Sequence, residues 1–537
     1  MKIVRVSGSN ELHIHNDRFS VYTGGLRLFL FYLNCPVSLP EAADEDSDPE
    51  LVSSADNIFV WRVHSTLWQK KEYRLVVRDG AFVFTVTVEG KGAPVSVEYF
   101  RSRSLYNAAG YTLFNLHACD HERAKHLMCD EPAVLQPMRA APPPYLFPFF
   151  NDYNDTVTGL GIVARRGEHN FRRFELHAPA NGWRENTCWF TLPLEGGEAI
   201  DGRWESPAVF GCFGETDLDV LRQYSHWQYK HRDFTCRTAQ DATPDWWRAP
   251  IFCGWVAQCD LADANPGSTA KDYATQATYE RFSDKLDEIG LDPGVIIVDD
   301  KWQKAYGTLT PDPVKWPSLR EFADDQHARG RKVLLWFKCW DHEGLPVEEC
   351  VTRNGEPVCA DPTNPAYLSR LKRAIYQLLS EDVGCCACDG FKVDFMDCLP
   401  ELTGAEICRK GLYGVELMKC LFEAVYQFAK EAKPDALINA SSLHPYFAGT
   451  CDQFRIHDYD AFVRSPISTM RFRSEMAQAV YPGVIVDTDG FHGRTKYENL
   501  RILLAQPDFG VPDLYYFPAD FTEEDWAQVR AAWLNED

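Results

Sequence analysis

The sequence predicts an α/β protein in which an N-terminal antiparallel β-sandwich precedes a barrel of eight strand–helix units. Up to about residue 235, short aromatic-rich segments alternate apolar with polar residues; from about residue 245, apolar segments of five or six residues alternate with amphipathic helical segments. The first pattern is typical of antiparallel strands with one solvated face, and the second of parallel strands buried on both faces. Because 537 residues exceed what one core can hold, we predict domains at 1–236 and 245–537.

The sandwich is predicted from segments such as RFSVYTG (18–24), EYRLVVRDGAFVFTVTVEG (72–90) and FRRFELHAP (171–179). Their β-branched and aromatic residues favour strands, and the Gly, Asp and Asn between them favour turns. The acidic stretch EAADEDSDPE (41–50) contains few apolar residues, so we predict a surface loop there.

The barrel is predicted from eight candidate strands separated mostly by helical segments. The helical segment TYERFSDKLDEIG (278–290) ends at Gly290, and Gly330 ends another, where a helix C-cap is expected. Eight strands within about 290 residues match a (β/α)₈, or TIM, barrel. The candidate strands are 250–257, 294–300, 331–338, 388–395, 435–440, 452–458, 483–488 and 512–517.

The composition excludes several classes of partner. The 55 Lys and Arg residues against 78 Asp and Glu residues give a net charge of −23, which argues against nucleic acids and anionic membranes. No stretch is apolar enough for a transmembrane helix, and the N-terminus lacks the apolar core of a signal peptide. The 18 cysteines are scattered, so we expect reduced thiols and a cytoplasmic location.

Neither a cofactor nor a metal is expected. The phosphate-binding glycine motifs do not occur between a strand and a helix. The cysteine-rich segment CCACD (385–389) lacks a second ligand pair at tetrahedral spacing, and it leads directly into a predicted strand. We therefore predict buried thiols there.

Carboxylates follow several predicted barrel strands, and they are the main functional signal. They occur in VDDKW (298–302), KVDF (392–395) and RIHD (455–458). Since side chains alternate along a strand, Lys392 and Asp394 share a face. A nearby lysine favours the ionised carboxylate and suits a nucleophile, but the pair could equally be a buried ion pair that stabilises the barrel.

These three motifs, in this order on the second, fourth and sixth predicted strands, resemble the melibiase-type α-galactosidase clan, which includes glycoside hydrolase families 36 and 27. FCGWVAQ (252–258) is similar to the Gly-Trp segment of the raffinose-synthase-like relatives, and DPTNPAY (361–367) to the Asp-x-x-x-Pro segment that precedes the helix before the fourth strand in the clan. The resemblance covers roughly residues 250–460 and the general plan of a sandwich before a barrel.

The resemblance implies that Asp394 is the nucleophile and Asp458 the general acid/base of a retaining glycosidase. Strand alternation alone does not point Asp458 inward, so Asp460 is a rival for that role. The resemblance also implies that Asp299 and Asp300 bind sugar hydroxyls. The other predicted substrate-binding residues are Trp255, Trp302, Trp336, Lys338, Lys392, Ser441, His444 and Arg455.

The predicted function is that of an α-galactosidase-like retaining α-glycoside hydrolase, with a carbohydrate as its partner; whether the chain forms a homo-oligomer is left open. NASSLHPYFAG (439–449) replaces the Cys and Gly-rich run of family 36, and Lys338 could face an anionic substituent, so the sugar is also left open. A transglycosidase with the same mechanism is the main alternative. A Schiff-base lyase that uses Lys338 or Lys392, and a non-catalytic sugar-binding protein, are the others.

Overall fold

The computed structural model of the chain describes most of the 537 residues. The ranges described are 1–101, 103–107, 111–114, 124–126, 132–137, 142–151, 154–179, 185–194, 199–235, 243–401, 404–456, 465–490 and 492–534. The predicted boundary between the two domains coincides largely with 236–242, outside these ranges, and it stays a prediction.

The N-terminal region consists of antiparallel strands in three sheets. Their bounds are β1 (Lys2–Ser7), β2 (Asn10–Ile14), β3 (Arg18–Thr23), β4 (Leu26–Tyr32), β5 (Val37–Ser38), β6 (Glu50–Ala55), β7 (Ile58–Val63), β8 (Lys70–Arg78), β9 (Ala81–Gly92), β10 (Ser96–Tyr99), β11 (Leu105–Asn107), β12 (Tyr111–Phe114), β13 (Ala124–His126), β14 (Ala133–Leu135), β15 (Leu146–Asn151), β16 (Thr156–Val163), β17 (Phe174–His177), β18 (Glu185–Thr187), β19 (Trp189–Pro193), β20 (Ile200–Glu205) and β21 (Ala208–Gly214).

The strand orders are β1-β2-β3-β4-β11-β18, β14-β17-β19-β10-β5 and β13-β12-β15-β16-β21-β9-β8-β7-β6, with β20 also paired to β9. Aromatic side chains join the first and third of these sheets: the rings of Phe29 and Phe149 are 5.2 Å apart, and those of Phe19 and Phe84 are 6.2 Å apart. The alternating burial along β8 shows why the sequence pattern predicted strands with one buried face.

Eight parallel strands form a nearly closed barrel, which confirms the predicted fold class. The strands, here called the first to eighth barrel strands, are β22 (Ile251–Cys253), β23 (Val295–Val298), β24 (Lys332–Lys338), β27 (Gly390–Asp394), β29 (Leu437–Ala440), β30 (Gln453–Arg455), β31 (Ile485–Asp487) and β32 (Asp513–Leu514). Neighbours in the chain are neighbours in the sheet, and the eighth strand pairs with the first. A parallel bridge between Asp487 and Val511 brings the seventh strand to the start of the eighth.

A helix precedes the barrel and others surround it. Thr216 caps the first of them, α1, which packs against β16, β21 and α7 and so joins the two regions. The helices are α1 (Asp217–His231), α2 (Trp255–Ala264), α3 (Gln276–Glu288), α4 (Leu319–Ala328), α5 (Pro365–Leu379), α6 (Gly414–Ala432), α7 (Pro466–Val480), α8 (Lys496–Ala505) and α9 (Glu523–Leu534). As predicted, α3 and α4 end near Gly290 and Gly330, whose φ angles of 64° and 82° favour glycine.

Shorter elements lie between these helices and strands. A small antiparallel sheet of β25 (Cys350–Arg353), β26 (Glu356–Ala360) and β28 (Ala405–Glu406) was not predicted. The 3₁₀ turns are Asp245–Arg248, Ala270–Tyr273, Tyr306–Thr308, Val347–Glu349, Pro445–Phe447 and Gln506–Asp508. Among the described residues, no helix combines the length and the apolar character needed to cross a membrane.

Candidate active site

Asp394 is the last residue of the fourth barrel strand, and three donors orient its carboxylate. Trp336 Nε1 donates to Oδ2 at 3.0 Å, while Arg455 Nη2 and the backbone N–H of Phe395 donate to Oδ1 at 3.2 and 2.9 Å. The Asp394 side chain is nevertheless 18% exposed. A carboxylate held in one orientation, next to a cation and accessible from the C-terminal end of the barrel, is suited to nucleophilic attack.

Arg455, on the sixth barrel strand, connects Asp394 to a second buried carboxylate. Its side chain is fully buried, and its Nη1 lies 3.0 Å from Asp489 Oδ2. The hydroxyl of Tyr515 donates to the other oxygen of Asp489. Arg455 was predicted to bind substrate, and its contact with Asp394 was not predicted, although strand alternation in RIHD separates Arg455 from Ile456 and Asp458 and offered a signal.

Lys392 forms its direct ion pair with Asp299 rather than with Asp394. Lys392 Nζ lies 2.8 Å from Asp299 Oδ2 and 3.3 Å from Cys253 Sγ. Both charged side chains are almost fully buried. Burial acts to lower the pKa of Lys392, but the acidic groups around it, Asp299 foremost and Asp394 further away, together outweigh burial and hold that pKa well above the ordinary lysine value. The prediction that Lys392 is the neighbour that keeps Asp394 charged is corrected in this respect, because the long lysine side chain crosses the barrel interior to the first and second strands.

Asp300 lies at the end of the second strand and accepts a hydrogen bond that the sequence did not predict. Tyr306 Oη donates to Asp300 Oδ1 at 2.7 Å, and Lys271 Nζ is 3.7 Å from Oδ2. Burial raises the pKa of Asp300, although the hydrogen bond from Tyr306 and the charge of Lys271 oppose the shift. Tyr306 follows in a loop with no periodic pattern, so no sequence signal identified it.

Three lysines lie over the Tyr306 ring beside this carboxylate, among them Lys271, whose Nζ is 5.6 Å from the ring centroid. Lys301 Nζ is 3.6 Å and Lys338 Nζ 4.4 Å from the ring centroid. Each also has an acidic partner: Lys301 contacts Glu343, and Lys338 Nζ lies 2.7 Å from Asp341. Lys338 is 24% exposed and pairs in register with Asp394, so the two residues lie side by side at the same end of the barrel.

The tryptophans predicted to contact sugar differ in their surroundings. The Trp336 ring lies between Tyr306 and the exposed ring of Phe395, with both centroids at 5.9 Å, so it can form a wall of the site. Trp302 is fully buried, and its Nε1 donates to the carbonyl oxygen of Trp336 at 2.8 Å. Trp255 is half-buried at the start of α2. Trp302 thus holds the backbone of Trp336 in place from the protein interior.

Ser441 and His444, which follow the fifth strand, are fully buried among protein partners. Ser441 Oγ donates to the carbonyl oxygen of Arg455 at 2.9 Å. His444 Nε2 lies 3.1 Å from the Tyr224 hydroxyl of α1, and His444 Nδ1 accepts from the N–H of Tyr446 at 3.2 Å. His444 therefore lies at the contact with the N-terminal region, and Ser441 and His444, both predicted to bind substrate, have protein partners instead.

Asp458 and its rival Asp460 lie outside the described residues. The acid/base assignment therefore stays a prediction. In the parts of the chain that are described, no group of three or more His, Cys, Asp or Glu side chains is placed to hold a metal ion.

No known protein-family profile and no curated protein sequence matches the chain. Solved structures do match it. A family 36 α-galactosidase from Geobacillus stearothermophilus, solved with stachyose, aligns with a TM-score of 0.57 at 10% identity over 99% of this chain and 86% of its own. An α-galactosidase from Thermus thermophilus, also with stachyose, gives 0.54 at 14% identity over 86% and 99%.

A family 31 sulfoquinovosidase from E. rectale, solved with an aza-sugar inhibitor, gives a TM-score of 0.62 at 12% identity over 97% of this chain and 81% of its own. At such low identities the comparisons establish the fold. The resemblance predicted from the sequence motifs is thus confirmed at that level: the chain shares its barrel architecture with family 36 and family 31 glycoside hydrolases.

Proposed function

We propose that this protein is a retaining α-glycosidase, similar to the α-galactosidases, that works through a glycosyl-aspartate intermediate on Asp394. The observation that carries the proposal is the orientation of Asp394 by Trp336 and Arg455 at the C-terminal end of the barrel. Catalytic groups of this fold lie at that end. The similarity in fold to α-galactosidases supports the same conclusion.

In this mechanism a carboxylate oxygen of Asp394 attacks the anomeric carbon while the bond to the glycosidic oxygen breaks. Asp458, the proposed acid/base, gives its proton to the leaving oxygen and then takes a proton from the water that releases the sugar. The two carboxyl groups of a retaining enzyme lie about 5–5.5 Å apart. The positive charge of Arg455 favours the ionised Asp394 that the first step requires.

The remaining predicted residues fall into binding and supporting roles. Asp300, Trp336 and Lys338 would contact the sugar, since they surround the opening next to Asp394. Asp299, which is paired with the buried Lys392, would either stabilise the barrel interior next to these residues or bind sugar hydroxyls itself. A panel of aryl α-glycosides of galactose, N-acetylgalactosamine, glucose and charged sugars would identify the preferred substrate.

The alternative functions make different predictions. A transglycosidase would transfer the glycosyl group to an added acceptor sugar, which a product assay with and without acceptor would detect. A Schiff-base lyase needs a neutral lysine amine. The raised pKa of Lys392 in its ion pair with Asp299 argues against this lysine as the amine, and Lys338 Nζ lies 2.7 Å from Asp341. A non-catalytic binding protein would bind the sugar without turnover.

The test of the nucleophile is the Asp394→Asn variant assayed with an activated aryl α-glycoside. We expect turnover to fall by about 10³-fold or more while sugar binding is kept, because the amide cannot form the glycosyl ester. Asp284→Asn, an exposed position on α3, is the matched control and should keep wild-type activity. Azide should restore turnover to Asp394→Ala by attacking the anomeric carbon in place of the carboxylate, which gives a glycosyl azide of inverted configuration, whereas the first sugar product of the wild type should retain its configuration by NMR. Undiminished activity in Asp394→Asn would refute the assignment.

A further inference from the structure

A groove lies beside the candidate active site, between the loop that follows the second barrel strand and helix α5. Its volume is about 700 Å³. Ala305, Gly344 and Ala374 provide small apolar surfaces within it. The other lining residues are Lys304, Thr308, Thr310, Glu343, Arg370, Arg373 and Gln377.

Among the described residues, three cations line the groove, Lys304, Arg370 and Arg373, and its one carboxylate, Glu343, is paired with Lys301. Glu349 holds Arg370 through two contacts of 2.7 Å, so that charge is already paired. Lys304 and Arg373 are exposed, and within the described ranges neither has a carboxylate in direct ion-pair contact, although the charge of Arg373 helps to lower the pKa of Glu349. Two unpaired cations lining one groove stand out in a chain whose net charge is −23, and they form a local electrostatic site for an anion.

The groove shares a wall with the candidate active site. Glu343 lines the groove, and its Oε2 accepts from the backbone N–H of Tyr306 at 3.0 Å. The hydroxyl of the same Tyr306 donates to Asp300. Lys304 and Arg373 therefore lie next to the loop that carries Tyr306, which binds Asp300 of the candidate active site.

We propose that this groove binds an anionic group (a phosphate, sulfate or carboxylate) carried on a saccharide, through Lys304 and Arg373. As a subsite of the enzyme, it rests on the proposed glycosidase function and defines the substrate class as acidic oligosaccharides. Arg373 supplies a planar fork that matches such oxyanions, and Lys304 supplies a point charge. The small apolar surfaces leave room for the C–H face of a sugar ring.

The test measures binding of glucose 6-phosphate, glucose 6-sulfate, glucuronate and neutral glucose to the full chain by calorimetry. We expect at least one anionic sugar to bind at least tenfold more tightly than glucose. The Lys304→Gln/Arg373→Gln double variant should lose that preference, whereas Arg203→Gln, which removes an exposed charge on β20, should keep it. The probe that binds identifies which anionic group the groove accepts.

A second variant, Thr310→Glu, places a negative charge in the groove and should weaken the same probe by a similar factor. Equal binding of glucose and all three anionic sugars, or an unchanged preference in correctly folded groove variants, would overturn the proposal. Hydrolysis of a neutral aryl α-glycoside, measured in the same samples, tests the glycosidase function separately. It should be unaffected by the groove variants, because the substituted residues are not among the donors that orient Asp394.

Discussion

At the level of single residues, Asp394 and Arg455 are the pair on which the proposed chemistry depends. Arg455 is fully buried and binds Asp394 and Asp489 through separate guanidinium nitrogens. Arginine suits this position because its planar group bridges two carboxylates and stays charged. A lysine in its place would keep one charge but could not make both contacts with the same geometry.

We predict that Arg455→Met lowers kcat/KM for an activated aryl α-glycoside by about 10²-fold or more. Without the adjacent cation, Asp394 binds a proton more readily, so the acidic limb of the pH–rate profile should move to higher pH. Arg455→Lys should retain part of the activity, and the acidic limb of its pH–rate profile should move less. A thermal unfolding scan must accompany the assay, since removing one member of a buried pair can cost about 3–5 kcal/mol. A folded Arg455→Met enzyme with an unchanged pH profile would contradict this role.

At the level of elements, the buried Lys392–Asp299 pair connects the fourth and second barrel strands. Cys253 adds a contact to the first strand, because its Sγ lies 3.1 Å from Asp299 Oδ2. Both side chains are nearly inaccessible to water, so each one compensates the free-energy cost of burying the other.

We predict that Lys392→Met destabilises the protein by about 3–5 kcal/mol, because Asp299 would remain buried without its partner. The double variant Lys392→Met/Asp299→Leu should recover a large part of that loss. Urea unfolding midpoints of the wild type, both single variants and the double variant form the cycle that measures the coupling. Additive effects would show that the two side chains stabilise the barrel independently.

At the level of the whole molecule, His444 lies where the N-terminal region meets the barrel. It contacts Tyr224 of α1, and its ring is 5.8 Å from Tyr145 and 5.6 Å from His169. Burial, together with the charges of His169 and Lys419, lowers the pKa of His444 well below the ordinary value of 6.5. His444 is therefore neutral in the folded protein at neutral pH.

This burial predicts a pH dependence of stability. Below about pH 6.5 the unfolded chain binds a proton at His444 that the folded protein does not bind, so stability falls as the pH is lowered from that value towards the depressed folded pKa. Unfolding midpoints at pH 7.5 and 5.5 should therefore differ more for the wild type than for His444→Gln, which cannot titrate. Other titratable groups, Glu416, Tyr446 and Lys419, lie near His444 and also affect the pH dependence of stability. The contribution of His444 is therefore read from the difference between the wild type and His444→Gln, and not from the wild type alone. Equal slopes in the two proteins would contradict the prediction.

Local patterns in the sequence were sufficient for the barrel, the antiparallel N-terminal strands and the position of Asp394 at a strand end. They were sufficient because a strand buried on one face alternates apolar with polar residues, and a strand buried on both faces is apolar throughout. Each strand shows this pattern in its own residues. Pairings between distant residues were not predictable in this way. The partner of Lys392, the contact between Arg455 and Asp394 and the packing of His444 against Tyr224 depend on how separate elements come together. The groove at Lys304 and Arg373 likewise joins a loop and a helix that are about 70 residues apart in the chain, so only the tertiary structure brings its charges together.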